Sequence, residues 1–159
     1  MKTLILGVGN VLLGDEGVGI HVVRALATEV LPAGVDILDG GTGGLHLLSW
    51  TEGYERIIMI DATLDGNPPG TITHLRPRYA SDFPPLMSSH EIGIRDMITA
   101  MHLTNHTPII DLITITASTI TDLTTTLTPA LTSSIPPTLT LITHLLAARP
   151  RPQAPAALY

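Results

Sequence analysis

The sequence predicts an α/β fold: a three-layer α/β/α domain whose twisted, mostly parallel sheet of about five strands lies between helices. Three observations carry this expectation. Short, nearly continuous aliphatic runs recur along the chain, as in strands buried on both faces of a parallel sheet. Between them lie stretches with apolar residues three or four apart, the stripe of an amphipathic helix. The two patterns alternate, which argues for a doubly wound sheet with helices on both faces.

Taken in order, Thr3–Val8 is the first strand, and it turns glycine-rich at its end. Ile20, Val23, Leu26, Ala27 and Val30 mark a helix over 17–31, stopped by Pro32 and Gly34. Val35–Leu38 is the second strand, followed by Asp39 and the cluster Gly40-Gly41-Thr42-Gly43-Gly44. A short helix carrying Leu45, Leu48 and Trp50 leads to a third strand, Arg56–Ile60, ending at Asp61. Asp65–Gly70 is turn chemistry, and Thr71–Leu75 returns from it as an antiparallel edge strand. After a polar loop over 76–89, a helix beginning near His90 presents Ile94, Met97, Ile98 and Met101 on one face. Asn105 and Pro108 close it, and Ile109–Ile115 is another buried strand. Threonine, a weak helix former, dominates from 104 to 143 and leaves 117–135 open between helix and strand. A last helix is expected over Leu139–Ala148, its start limited by Pro136-Pro137. The domain thus covers 1–148, and the proline-rich tail 149–159 is expected to be disordered.

At 159 residues the chain fits one domain. Hydrophobic residues make up 44% and charged residues 14%, so the core is easily supplied and must be aliphatic, with one Phe and one Trp. The net charge of −6 and the single lysine argue against a nucleic-acid partner. The absence of cysteine excludes a thiol nucleophile, a thiolate metal site and disulfides, and agrees with a cytoplasmic location. No apolar run suits a signal peptide or a membrane span.

Ligands of open α/β sheets bind beyond the carboxyl ends of the strands. Asp15-Glu16, Asp39 and Asp61 fall at that edge, and His90 starts a later helix that can reach it. Two carboxylates and an imidazole converging there would form an N/O metal site. Each residue also has a purely structural reading. Asp15 is expected to be the N-cap of the 17–31 helix, and Glu16 to be a first-turn acid favoured by the helix dipole. Asp61 can bond loop amides, and His90 can be an ordinary helix-start residue. Gly7-x-Gly9 suggests a dinucleotide-binding turn, but the third glycine is Gly14, and Asp15-Glu16 would repel a pyrophosphate there. No Gly-x-Ser-x-Gly elbow is present, and Ile94 stands where a zincin needs its second histidine. His102 and His106 straddle a helix end and are not expected to share a face; His21, His46, His74 and His144 read as surface or satisfied histidines.

The string Leu6-Gly7-Val8-Gly9-Asn10-Val11-Leu12-Leu13-Gly14-Asp15-Glu16-Gly17-Val18-Gly19 closely resembles the opening motif of the hydrogenase maturation endopeptidases. Further blocks agree in order: Leu38–Thr42, Ile60-Asp61-Ala62 with Pro69-Gly70-Thr71, and Ser89–Gly93. A weaker likeness continues through Leu127-Thr128-Pro129, so the resemblance covers about residues 2–148. It implies that Glu16, Asp61 and His90 bind nickel and serve catalysis. It further implies that the enzyme removes a C-terminal extension from the hydrogenase large-subunit precursor after nickel insertion. The nickel would arrive with the substrate, and the implied partners are that precursor and other maturation accessory proteins. Asp39, Gly40, Gly41 and Thr42 are candidates for cradling the extended tail, since glycine permits close backbone approach; a tight turn into a short helix is the other reading. The stretch Ile113–Thr119 departs from the glycine- and proline-containing turn usual in the family. A non-catalytic nickel-checking module and a hydrolase of broader range therefore stay open beside the maturation peptidase.

Overall fold

The computed structural model describes residues 1–84, 90–118 and 123–150, with residues 90–93 described as helix backbone only. Among these residues the chain runs β1 (Thr3–Gly7), α1 (Val18–Leu26), β2 (Val35–Asp39), α2 (Leu48–Thr51), β3 (Arg56–Thr63), β4 (Ile72–Leu75), α3 (His90–Leu103), β5 (Ile109–Thr116) and α4 (Pro129–Ala147). The strands form one sheet in the order β2-β1-β3-β5-β4, parallel except for β4, which pairs antiparallel with β5 at the edge. Gly7 at the end of β1 lies opposite Asp39 on one side and Ile60 on the other. Because β2 and β3 flank β1, the chain reverses its winding there, and a crevice opens between the carboxyl ends of β1 and β3.

Strand alternation divides the core into two faces. Ile58, Ile60, Ile113 and Ile115 pack under α1 and α4. Ile57, Met59 and Leu112 pack under α3, whose Ile94, Met97, Ile98 and Met101 are all buried, as the periodicity predicts. β3 is buried at every position, which accounts for its uninterrupted aliphatic sequence.

Four expectations need correction. The helix over 17–31 is shorter: α1 ends at Leu26, and Ala27 and Val30 are exposed. The Thr28 hydroxyl donates to the Ala25 carbonyl at that end, and Pro32 prevents continuation. In the short 45–51 helix Leu45 and Trp50 face solvent, and Leu47 and Thr51 are the buried residues. The third strand does not stop before Asp61 but carries it, running on to Thr63 in register with β5. Finally, α4 starts at Pro129, ten residues earlier than Leu139, and passes through Pro136 and Pro137. The buried face is Leu131, Ser134, Thr138, Ile142 and Leu145. The prolines lie on the exposed face, so the carbonyls of Thr132 and Ser133 that lose a donor are open to water. Of the tail, only Arg149 and Pro150 fall within the described residues.

A buried carboxylate pair at the sheet crevice

The glycine-rich segment after β1 is shaped by backbone contact. Gly9 adopts φ 143°, and a Cβ there would overlap the Glu16 carbonyl. Gly19 lets α1 approach β3 so closely that a Cβ would strike the carbonyl oxygens of Ile60 and Val8. These approaches fold residues 14–17 into a single 3-10 turn over the crevice, and the turn carries Asp15 and Glu16.

Glu16 is 4% exposed and Asp61 1%. Asp61 shares strand parity with Ile57 and Met59, so its side chain stands on the α3 face, the helix that His90 begins. The Asp61 Oδ1 accepts from the N–H of Ala62 at 2.7 Å. Among the described residues its Oδ2, fully buried, accepts no hydrogen bond. Burial holds the Asp61 carboxyl well above the usual carboxylate range; the Ala62 N–H opposes this, and the Glu16 charge adds to it. Two buried carboxylates at the crevice, one with an oxygen that accepts no hydrogen bond among the described residues, are the hard oxygen donors that suit a divalent cation. The side chain of His90 lies outside the described residues, and among those described no three His, Asp or Glu side chains cluster as metal ligands.

Asp15 is not the N-cap of α1; Gly17 holds that position and makes no side-chain cap. Instead Asp15 accepts from the Ser118 N–H (3.1 Å), the Thr128 N–H (2.8 Å) and the Thr128 hydroxyl (2.8 Å). Asp39 lies on the α1 face, in register with Gly7 and Ile60, and thus on the side of the sheet opposite to Asp61. Its carboxylate is exposed, pairs with Arg24 at 3.1 Å and accepts from the Gly41 N–H. The 40–44 loop is pinned to the β1 exit by Gly40 N–H to Gly7 O and Gly9 N–H to Gly41 O, both 2.8 Å, and Thr42 is exposed beside it. The departing stretch 113–118 completes β5 and its exit: Thr114 pairs with Asp61, and the Thr116 hydroxyl donates to Asp65. Thr119 lies outside the described residues.

At the opposite edge of the sheet, Arg56 and Asp111 form a fully buried ion pair at 2.7 Å. Arg56 also donates to the Leu145 carbonyl in the last turn of α4, while Asp111 takes His74 of β4 and Arg76, the residue that follows that strand. His74 is thus satisfied, as are His102 and His106, which reach the Ile98 and Thr51 carbonyls separately.

Residues 20–145 match the hydrogenase maturation protease family. The chain belongs to that family. It is 40% identical over 111 residues to the hydrogenase 2 maturation protease of Escherichia coli, a match covering 68% of each chain. It is 42% identical over 110 residues to the hydrogenase expression/formation protein HupD of Rhodobacter capsulatus, a match that spans 67% of this chain and about half (52%) of that relative. The solved structure of the hydrogenase maturating endopeptidase HybD from E. coli superimposes with a TM-score of 0.85 at 34% identity, covering 92% of this chain and 93% of that one. Membership in the family and the α/β sheet therefore agree with the resemblance drawn from the motifs. No described helix is long and apolar enough to cross a membrane.

Proposed function

We propose that this protein is the endopeptidase that removes the C-terminal extension of a nickel-loaded hydrogenase large-subunit precursor, in the cytoplasm. In this reading Glu16, Asp61 and His90 complete the coordination of the nickel that the precursor carries. The observation that carries it is the buried Glu16–Asp61 pair with the open Asp61 Oδ2, held over the crevice of a chain in the maturation protease family. Such a pair is unfavourable alone and is relieved by a divalent cation. The protein's own residues bind and orient: the metal contact would fix the precursor so that its scissile carbonyl lies beside the nickel, where polarisation or activation of water can follow. A tenfold preference for loaded over empty precursor needs about 1.4 kcal/mol of differential binding, within reach of one metal–carboxylate contact. The 40–44 loop, with Gly41 and Thr42 open beside the β1 exit, is the part suited to receive the extended tail.

Substitution tests the assignment. Glu16→Gln and His90→Ala should each abolish processing of loaded precursor, read as the loss of a mass-shifted product, while circular dichroism stays unchanged. Full processing by either folded variant would remove that residue from the site.

A further inference from the structure

We propose that Asp15 is a positioning residue that sets the direction of Glu16 by anchoring the 3-10 turn to the start of α4. This inference rests on the role proposed above for Glu16.

The turn Gly14–Gly17 has no side-chain cap of its own, and neither has α1 behind it. It is held from outside. The Gly14 N–H donates to the Thr124 carbonyl at 2.7 Å, and the Thr124 N–H to the Leu12 carbonyl at 2.9 Å. The Asp15 carboxylate, on a residue 2% exposed, takes its three hydrogen bonds from Ser118 and Thr128, both more than a hundred positions away in the chain. Ser118 follows β5, and Thr128 is the N-cap of α4. Thr128 makes no capping bond with its own side chain, and its hydroxyl donates to Asp15 instead. The α4 start and the turn are therefore joined through one carboxylate, whose negative charge sits at the positive end of the helix.

The geometry of a 3-10 turn converts this anchor into an orientation. Successive side chains project roughly 120° apart, at three residues per turn. With Asp15 committed to α4, Glu16 is turned away from it and over the crevice, where its charge acts on Asp61. Release of Asp15 frees the turn to rotate, and Glu16 loses its fixed place beside Asp61.

The test is a double-mutant cycle read as binding of nickel-loaded against nickel-free precursor, with thermal melting as the folding control. Asp15→Asn should cut the preference for loaded precursor about tenfold, and Thr128→Val by a smaller factor, whereas Thr128→Ser keeps the hydroxyl and the preference. In a Glu16→Gln background neither Asp15→Asn nor Thr128→Val should reduce the preference further, since both act only through Glu16. Independent, multiplying losses would overturn the inference, as would an unchanged preference in folded Asp15→Asn. If Asp15→Asn does not fold, the Thr128→Val cycle with Glu16→Gln decides by the same criterion. A Glu16→Gln protein with its preference intact would overturn the pocket reading itself, and this inference with it.

Discussion

Asp61 is placed where a carboxylate is least comfortable: buried on a central strand, with one oxygen bonded to the adjacent Ala62 N–H and the other, among the described residues, accepting no hydrogen bond. Burial raises its carboxyl, so the fold disfavours the ionised form. Asp61→Asn should therefore stabilise the free protein while abolishing processing, with the melting temperature rising by about 2–4 °C for each kcal/mol relieved. Thermal melts at pH 7 check this; a lower melting temperature would mean that the carboxylate is needed for the fold. The neighbouring residues show how far single positions can be read from a sequence. Glu16 and Asp61 stand out because acids follow aliphatic strand sequence at the ligand-binding edge. The anchoring role of Asp15 is invisible there, since its partners Ser118 and Thr128 are brought to it only by the docking of α4. Asp39 looks equivalent to Asp61 in sequence, but register puts it on the other face, paired with Arg24.

Among the elements, β3 and α4 depend on a charge network that hydrophobic patterning does not announce. Arg56 occupies a fully buried position at the start of β3 and joins Asp111 of β5 to the last turn of α4. Arg56→Ala leaves Asp111 buried, with Arg76 and His74 still beside it, and removes the bond to α4, so it should cost about 3 kcal/mol in denaturant unfolding. Burial works against the Asp111 carboxylate, but hydrogen bonds from Arg76, His74 and Arg56, with the Arg56 charge, outweigh it and hold its carboxyl below the usual range. The stability this supplies is complete above about pH 5, where the unfolded-state carboxyl is ionised, and is lost as the pH falls through the lower folded value. Acid melts of Asp111→Asn should accordingly be flatter than those of the wild type over that window. Gly19→Ala tests the contact between α1 and β3: the added methyl meets the Ile60 and Val8 carbonyls and should destabilise the fold by roughly 1–3 kcal/mol. The strands and α3 were legible because burial on one or both faces leaves a periodic trace. α4 was only half legible, because its exposed prolines and its buried Ser134 and Thr138 disguise a helix whose stability comes from packing.

For the whole molecule, the parallel sheet and its winding decide where chemistry can occur. The reversal at β1 opens the crevice, the glycines let the following turn close over it, and β3 raises Asp61 into it. The Arg56–Asp111 network secures the opposite end of the strands, away from the proposed site. The ligand-binding edge is foreseeable in outline from strand–helix alternation, whereas the Arg56–Asp111 network and the partners of Asp15 depend on the tertiary arrangement. On the proposed reading, this crevice recognises a nickel carried by a precursor and licenses its cleavage. The most direct measurement is the intact mass of a cognate hydrogenase large-subunit precursor after incubation with the protein, nickel-loaded and nickel-free in parallel. Loss of one C-terminal fragment from the loaded precursor alone is the expected result; cleavage of both forms, or of neither, would overturn the proposed reading.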